Sequence, residues 1–108
     1  MPKQTTIRLP KDLSQRLDEL ASRLGFSRSD LIKTAILKYL VTDKSSDFSE
    51  TTVGSGDFVR TVIYLNDNLK GYLKQLSASL GTSVNALIIY ASSKTCDYYS
   101  ELLTELGL

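Results

Sequence analysis

Shifted by 56 residues, the sequence matches itself. Thr5, Ile7, Leu9, Leu13, Leu17, Leu20, Leu24, Gly25, Ser27, Leu31, Ile32, Ala35 and Lys38 fall on Thr61, Ile63, Leu65, Leu69, Leu73, Leu76, Leu80, Gly81, Ser83, Leu87, Ile88, Ala91 and Lys94. These are thirteen identities in 36 ungapped positions, nearly all at apolar or punctuating residues. Such a repeat restricts the chain to one supersecondary unit used twice, and a unit that cannot bury its own apolar face must stack on its copy. With 108 residues in all, each copy is too small to hold an adequate core alone. The copies are therefore expected to pair with each other or with another chain.

Both copies follow one order of local signals. Each begins with a stretch that alternates with period two, Gln4 to Leu9 and Arg60 to Leu65, which predicts a strand. Ile7 and Leu9 then share one face, and Gln4, Thr6 and Arg8 the other. A helix start follows, with Pro10 expected in the first turn of one copy and Asn66 as N-cap of the other. Leu13, Leu17, Leu20, Ala21 and Leu24 form a stripe at helical spacing, repeated as Leu69, Leu73, Leu76 and Leu80, and both stripes are expected in the core. Gly25 and Gly81 end these helices, because glycine takes the left-handed C′ conformation without strain. Ser27 and Ser83 then cap a second helix, and Ser27-Arg28-Ser29-Asp30 reads as a capping box. The second helix of copy one buries Leu31, Ile32, Ala35, Ile36 and Tyr39; that of copy two continues through Tyr98, Tyr99, Leu102, Leu103 and Leu106 to a stop at Gly107.

One strand cannot satisfy its own backbone, and one two-helix hairpin cannot bury both stripes. Two copies solve both problems if their strands form an antiparallel ribbon above four helices that share a core. The expected fold is mainly α with a short two-stranded ribbon, the chain pairing its own copies as an intrachain pseudodimer. Copy one spans residues 1–40, a flexible acidic linker 41–57, and copy two 58–108. Seventeen flexible residues have a root-mean-square span of about 20–25 Å, enough to cross so small a unit.

Composition excludes most other chemistry. The chain has no histidine and one cysteine, Cys96, so neither a Cys/His zinc site nor a His-activated nucleophile is available. No carboxylate pair or phosphate-binding glycine loop stands out, so no enzyme, catalytic residue, metal or other cofactor is expected. The longest apolar run, Ala86 to Ala91, is far shorter than a membrane span, and the start Met1-Pro2-Lys3-Gln4 has no apolar leader region. A cytoplasmic protein without membrane or small-molecule partners is expected. The net charge of +1 conceals a gradient: net +4 over residues 1–40, −3 over 41–57 and 0 over 58–108. The basic first third favours a polyanion.

The order strand, Leu-Pro-Lys-Asp-Leu, amphipathic helix, Leu-Gly-Phe-Ser-Arg-Ser and second helix resembles the Arc-type ribbon-helix-helix family of bacterial, plasmid and phage repressors. The likeness covers residues 4–40 and 60–96. It implies a sequence-specific DNA-binding regulator of transcription, a repressor, that inserts its ribbon into the major groove of double-stranded DNA. It further implies base contacts from Gln4, Thr6 and Arg8, whose side chains suit adenine, thymine and guanine edges in that order. The phosphate clamp it implies lies at the start of the second helix, at Ser27, Arg28 and Ser29, with Lys3 added. Copy two departs from the pattern, with Arg60, Val62 and Tyr64 on its strand and Ser83, Val84 and Asn85 at its clamp. Its base set is Arg60, Val62 and Tyr64 and its phosphate set Ser83 and Asn85, unless this copy serves structure or faces another protein. The competing reading is a protein-binding module, an antitoxin or anti-repressor, that uses the C-terminal helix; the same surface would serve self-association of chains.

Overall fold

A computed structural model describes residues 3–42 and 57–107. Strand β1 (Lys3–Pro10) leads into α1 (Lys11–Leu24) and α2 (Arg28–Ile36), and α2 runs on as a π-helical turn (Leu37–Thr42). The second unit is β2 (Phe58–Leu65), α3 (Asp67–Leu80) and α4 (Val84–Leu106). The N-cap side chains of Asn66, Ser27 and Ser83 act as the sequence implies. Asn66 Oδ1 accepts from the Leu69 N–H at 2.8 Å, Ser27 Oγ from Asp30 N–H at 3.1 Å and Ser83 Oγ from Ala86 N–H at 3.0 Å. Gly25 and Gly81 take φ of 76° and 66°, the left-handed turn that ends α1 and α3. Pro10 is displaced from its expected place. It stands one residue before the helix as N-cap and still pairs across the ribbon with Phe58, while Lys11 N–H donates to the Asp57 carbonyl at 2.9 Å.

β1 and β2 pair antiparallel within the chain, over the whole length of both strands. Thr6 faces Val62, its own counterpart in the repeat. A pseudo-twofold axis therefore passes through this pair, and the two units are arranged about it as two subunits would be. Thr5, Ile7 and Leu9 meet Ile63, Thr61 and Val59 on the inner face. Ile7, Leu9, Ile63 and Leu65 are buried there and join one core with Leu17, Leu31, Ile32, Leu73, Leu87 and Ile88. Neither unit has a core of its own, as their small size requires.

The axis is not respected by the first helices. α1 buries Leu13, Leu17, Leu20 and Ala21, whereas α3 buries only Leu73. Leu69 and Leu76 are half-buried and Leu80 is 39% exposed, so the expected core stripe of copy two is only partly in the core. The cause lies in the unequal second helices. α4 has 23 residues and forms a wall for α1, to which Arg16 is tied by a 2.9 Å ion pair with Asp97. The corresponding wall for α3 is the π-helical end of α2, six residues long. There Tyr72 Oη donates to the Leu40 carbonyl at 2.8 Å, and a groove of about 620 Å³ lies between Leu37, Val41, Leu69 and Tyr72. The π-helical turn also carries the chain to Thr42, two residues into the stretch read as linker. The rest of that linker, 43–56, lies outside the described residues.

Candidate nucleic-acid interface

Strand alternation buries one side of the ribbon and leaves four cross-strand pairs on the other: Gln4 with Tyr64, Thr6 with Val62, Arg8 with Arg60, and Pro10 with Phe58. All six residues expected to meet bases are exposed, and the register brings them onto this single face. Gln4 Nε2 donates to Tyr64 Oη at 3.3 Å, so these two side chains present a joint polar surface. Arg8 and Arg60 stand opposite each other, and neither has an acidic partner among the described residues. Like charges directly opposed across a sheet are destabilising, so the pair holds local repulsion that an anion relieves.

The second helices begin on either side of the ribbon, α4 against β1 and α2 against β2. An α-helix leaves its first N–H groups without intrahelical partners, which favours an anion at each start. The two starts differ in their side chains. Asn85 is committed to the strand: Arg8 N–H donates to Asn85 Oδ1 at 2.8 Å, and Asn85 Nδ2 donates to the Arg8 carbonyl at 2.9 Å. Both amide atoms of Asn85, expected at a phosphate, are thus engaged by the strand backbone. Its amide instead closes the open edge of β1 and fixes the backbone from which the Arg8 side chain projects.

At the α2 start the expected phosphate groups are also engaged or hidden. Arg28 Nη1 donates to Ser14 Oγ at 2.6 Å, and its Nε lies 3.4 Å from Asp18, so the guanidinium is drawn back onto α1. Ser29 Oγ is buried without a hydrogen-bond partner and does not reach the surface. Ser27 and Ser83 are exposed but hold their own helix caps. Lys3 pairs with Leu65 through its backbone at the ribbon end.

Three residues escaped the sequence reading. Lys70 and Lys74 are the repeat counterparts of Ser14 and Asp18, which hold Arg28 in copy one. In copy two they line a cavity of about 180 Å³ with Thr5, Thr6, Val84 and Asn85, beside the start of α4, and neither is paired among the described residues. Their spacing of four on one helix, at positions where the first copy has a serine and an acid, was the available signal. Phe58 continues the outward face past Arg60 and is 48% exposed. Its place in the period-two pattern was legible, but its repeat counterpart, Pro2, is a proline outside the described residues.

Chemistry elsewhere is sparse. Among the described residues no group of His, Cys, Asp and Glu is placed to hold a metal, and no helix is long and apolar enough to cross a membrane. Cys96 is buried, and that burial pushes its thiol up to about 11, against the pull of Arg16.

A two-stranded ribbon carried on paired two-helix units, with helix starts on both flanks, defines the ribbon-helix-helix class. Residues 3–43 match the family model described as ribbon-helix-helix protein, copG family. The match covers the first unit, and that family is one of DNA-binding transcription regulators. The second unit is joined to the first by the repeat and by the shared core. Comparison with curated proteins and with solved structures finds no match for the chain.

Proposed function

We propose that the chain is a sequence-specific DNA-binding repressor that acts as its own dimer, with copies 1–40 and 58–108 joined by the linker 41–57 and the ribbon laid in the major groove. The observation that carries this reading is the opposed Arg8 and Arg60 on the one exposed face of the ribbon, neither with an acidic partner among the described residues. A two-stranded ribbon fits that groove, where each base pair shows a distinct set of donors and acceptors. Arg8, Arg60, Gln4, Thr6, Val62 and Tyr64 meet bases in this reading. Phosphates on the two flanks meet the N–H groups that begin α2 and α4, with Lys70 and Lys74 as the cations of the α4 flank.

Binding to duplex DNA tests it. Affinity should fall steeply as salt rises, and Lys70→Ala or Lys74→Ala should each lower the slope of log affinity against log salt by about 1. Arg8→Ala should weaken a preferred site by about 1–3 kcal/mol while changing the salt slope little more than a lysine variant does. Affinity that is insensitive to salt would refute the reading.

A specific observation keeps the protein-binding alternative in view. The end of α4 exposes Leu106 at 62%, next to half-buried Leu102. Lys38 Nζ covers Tyr98 of the same helix, 3.3 Å from the ring centre. That apolar end is where chains would associate or a partner protein would dock, and such a complex would withstand salt.

A further inference from the structure

We infer that the ribbon is directional: one of its ends is a guanine-reading arginine end and the other an adenine-reading end of amide and phenol, so a single chain recognises a non-palindromic site in one orientation. This rests on the DNA-binding reading above and goes beyond it. In a symmetric ribbon of two identical strands, each end would carry the same pair of residues. The antiparallel register about Thr6 and Val62 breaks that equality here. It sets Arg60, the counterpart of Gln4, opposite Arg8, and sets Tyr64, the counterpart of Arg8, opposite Gln4. Both guanidinium groups thus stand at one end, and the amide and phenol stand hydrogen-bonded at the other.

The flanks differ as well. Asn85 ties the α4 start to Arg8, and Lys70 and Lys74 line a cavity that joins that start to the strand residues Thr5, Thr6, Ile7 and Leu65. The α2 start faces β2, and its Arg28 is held by Asp18 and Ser14. Lys33 adjoins Tyr64 in the groove at the Gln4–Tyr64 end, and Lys3 pairs with Leu65 at the same end. Arginine makes its bidentate contact with the O6 and N7 of guanine, and glutamine with the N6 and N7 of adenine. Two arginines at one level therefore call for guanines in one arm of the site. The Gln4 amide retains its Oε1 and one N–H for an adenine in the other arm. Phosphate contacts then fix the orientation without adding sequence information of their own.

Selection of bound sequences from duplexes with a random core short enough for one chain tests this with the full chain. The expected result is one non-palindromic motif with guanines confined to one arm. Arg8→Ala and Arg60→Ala should each abolish the preference in that arm, by roughly 5- to 150-fold per guanine, and spare the other arm. The double exchange Gln4→Arg with Arg60→Gln keeps composition, net charge and core unchanged, and moves one guanidinium to the far end. It should draw guanine into both arms and bring the motif close to a palindrome. A palindromic motif from the unaltered chain, or a motif unmoved by the exchange, overturns the directionality while leaving DNA recognition intact. No enrichment of any sequence by the unaltered chain overturns the DNA-binding reading itself and the directionality with it.

Discussion

Helices α1 and α3 descend from one repeated pattern yet meet different surroundings. α1 lies between α2 of its own unit and the long α4 of the other, and its leucines are sealed on both sides. α3 packs against α4 of its own unit, and across from it the π-helical end of α2 leaves a groove. The same leucine spacing therefore yields a buried stripe in one unit and a half-open one in the other. What a stripe buries is decided by the length of the helix opposite, a property of a distant part of the chain.

The strongest test of this contrast is in the centre, where the two helices agree. Leu17 and Leu73 are both fully buried, so replacing either with Ala should destabilise the protein by about 2–5 kcal/mol in a single cooperative transition. The melting temperature should also depend little on protein concentration, because the strands pair within the chain. Two separable transitions, or a strong concentration dependence, would break the picture of one shared core. Toward the helix ends the copies should diverge: Leu20→Ala, at a buried position, should cost more than the same change at its half-buried counterpart Leu76. Equal losses in chemical denaturation would mean that α3 is as well covered as α1.

The second contrast is at the ribbon edges. Asn85→Ala removes two hydrogen bonds to the Arg8 backbone and should cost about 1–3 kcal/mol, together with part of the DNA affinity that depends on Arg8. Its counterpart change, Ser29→Ala, removes a buried hydroxyl that has no partner, and should be neutral or mildly stabilising. A destabilising Ser29→Ala would show that this hydroxyl makes a bond in solution.

Smaller effects belong to the corner where each first helix meets the other unit's second helix. Tyr72→Phe gives up the bond to the Leu40 carbonyl and should cost about 1 kcal/mol. Replacing Arg16 disrupts a solvent-exposed pair with Asp97 and should cost less than about 1 kcal/mol, and less still in high salt. The hydrogen bond to Asp97 holds the Arg16 guanidinium above its ordinary pKa, consistent with a formed but exposed pair.

The smallest signal is at Cys96, where the fold retains the thiol proton longer than the unfolded chain does. That contribution to stability is complete below the ordinary thiol range and is lost as pH rises through about 11. Alkylation of Cys96 at neutral pH should therefore be slow until the protein is unfolded; fast labelling of the folded chain would show that the α4 wall opens readily.

Much of this was legible in the amino-acid order. The caps at Ser27, Asn66 and Ser83, the glycine stops and the in-and-out alternation of both strands act locally, through bonds that span a few residues. Six of the outward strand residues, Gln4, Thr6, Arg8, Arg60, Val62 and Tyr64, could be named from period two alone. Less legible were the neighbours that reassign a side chain across the fold. Arg28 and Asn85 look alike as candidates at a helix start, yet one folds back onto Asp18 and the other grips a strand 77 residues away. Lys70 and Lys74 lie in a helix whose sequence shows only a leucine stripe, and they gain meaning from the cavity beside α4.

The sequence by itself determined a duplicated unit, its strand and helices, and which side of each strand faces water, because alternation, capping and helical spacing are local rules. The tertiary structure alone decided which outward residues share an end of the ribbon. Register is set by burial of the inner face and by packing of the helices beneath it, long-range energies that local pattern does not carry. That register places Arg60 beside Arg8 instead of beside Gln4, and turns two unequal strands into one ribbon with unequal ends.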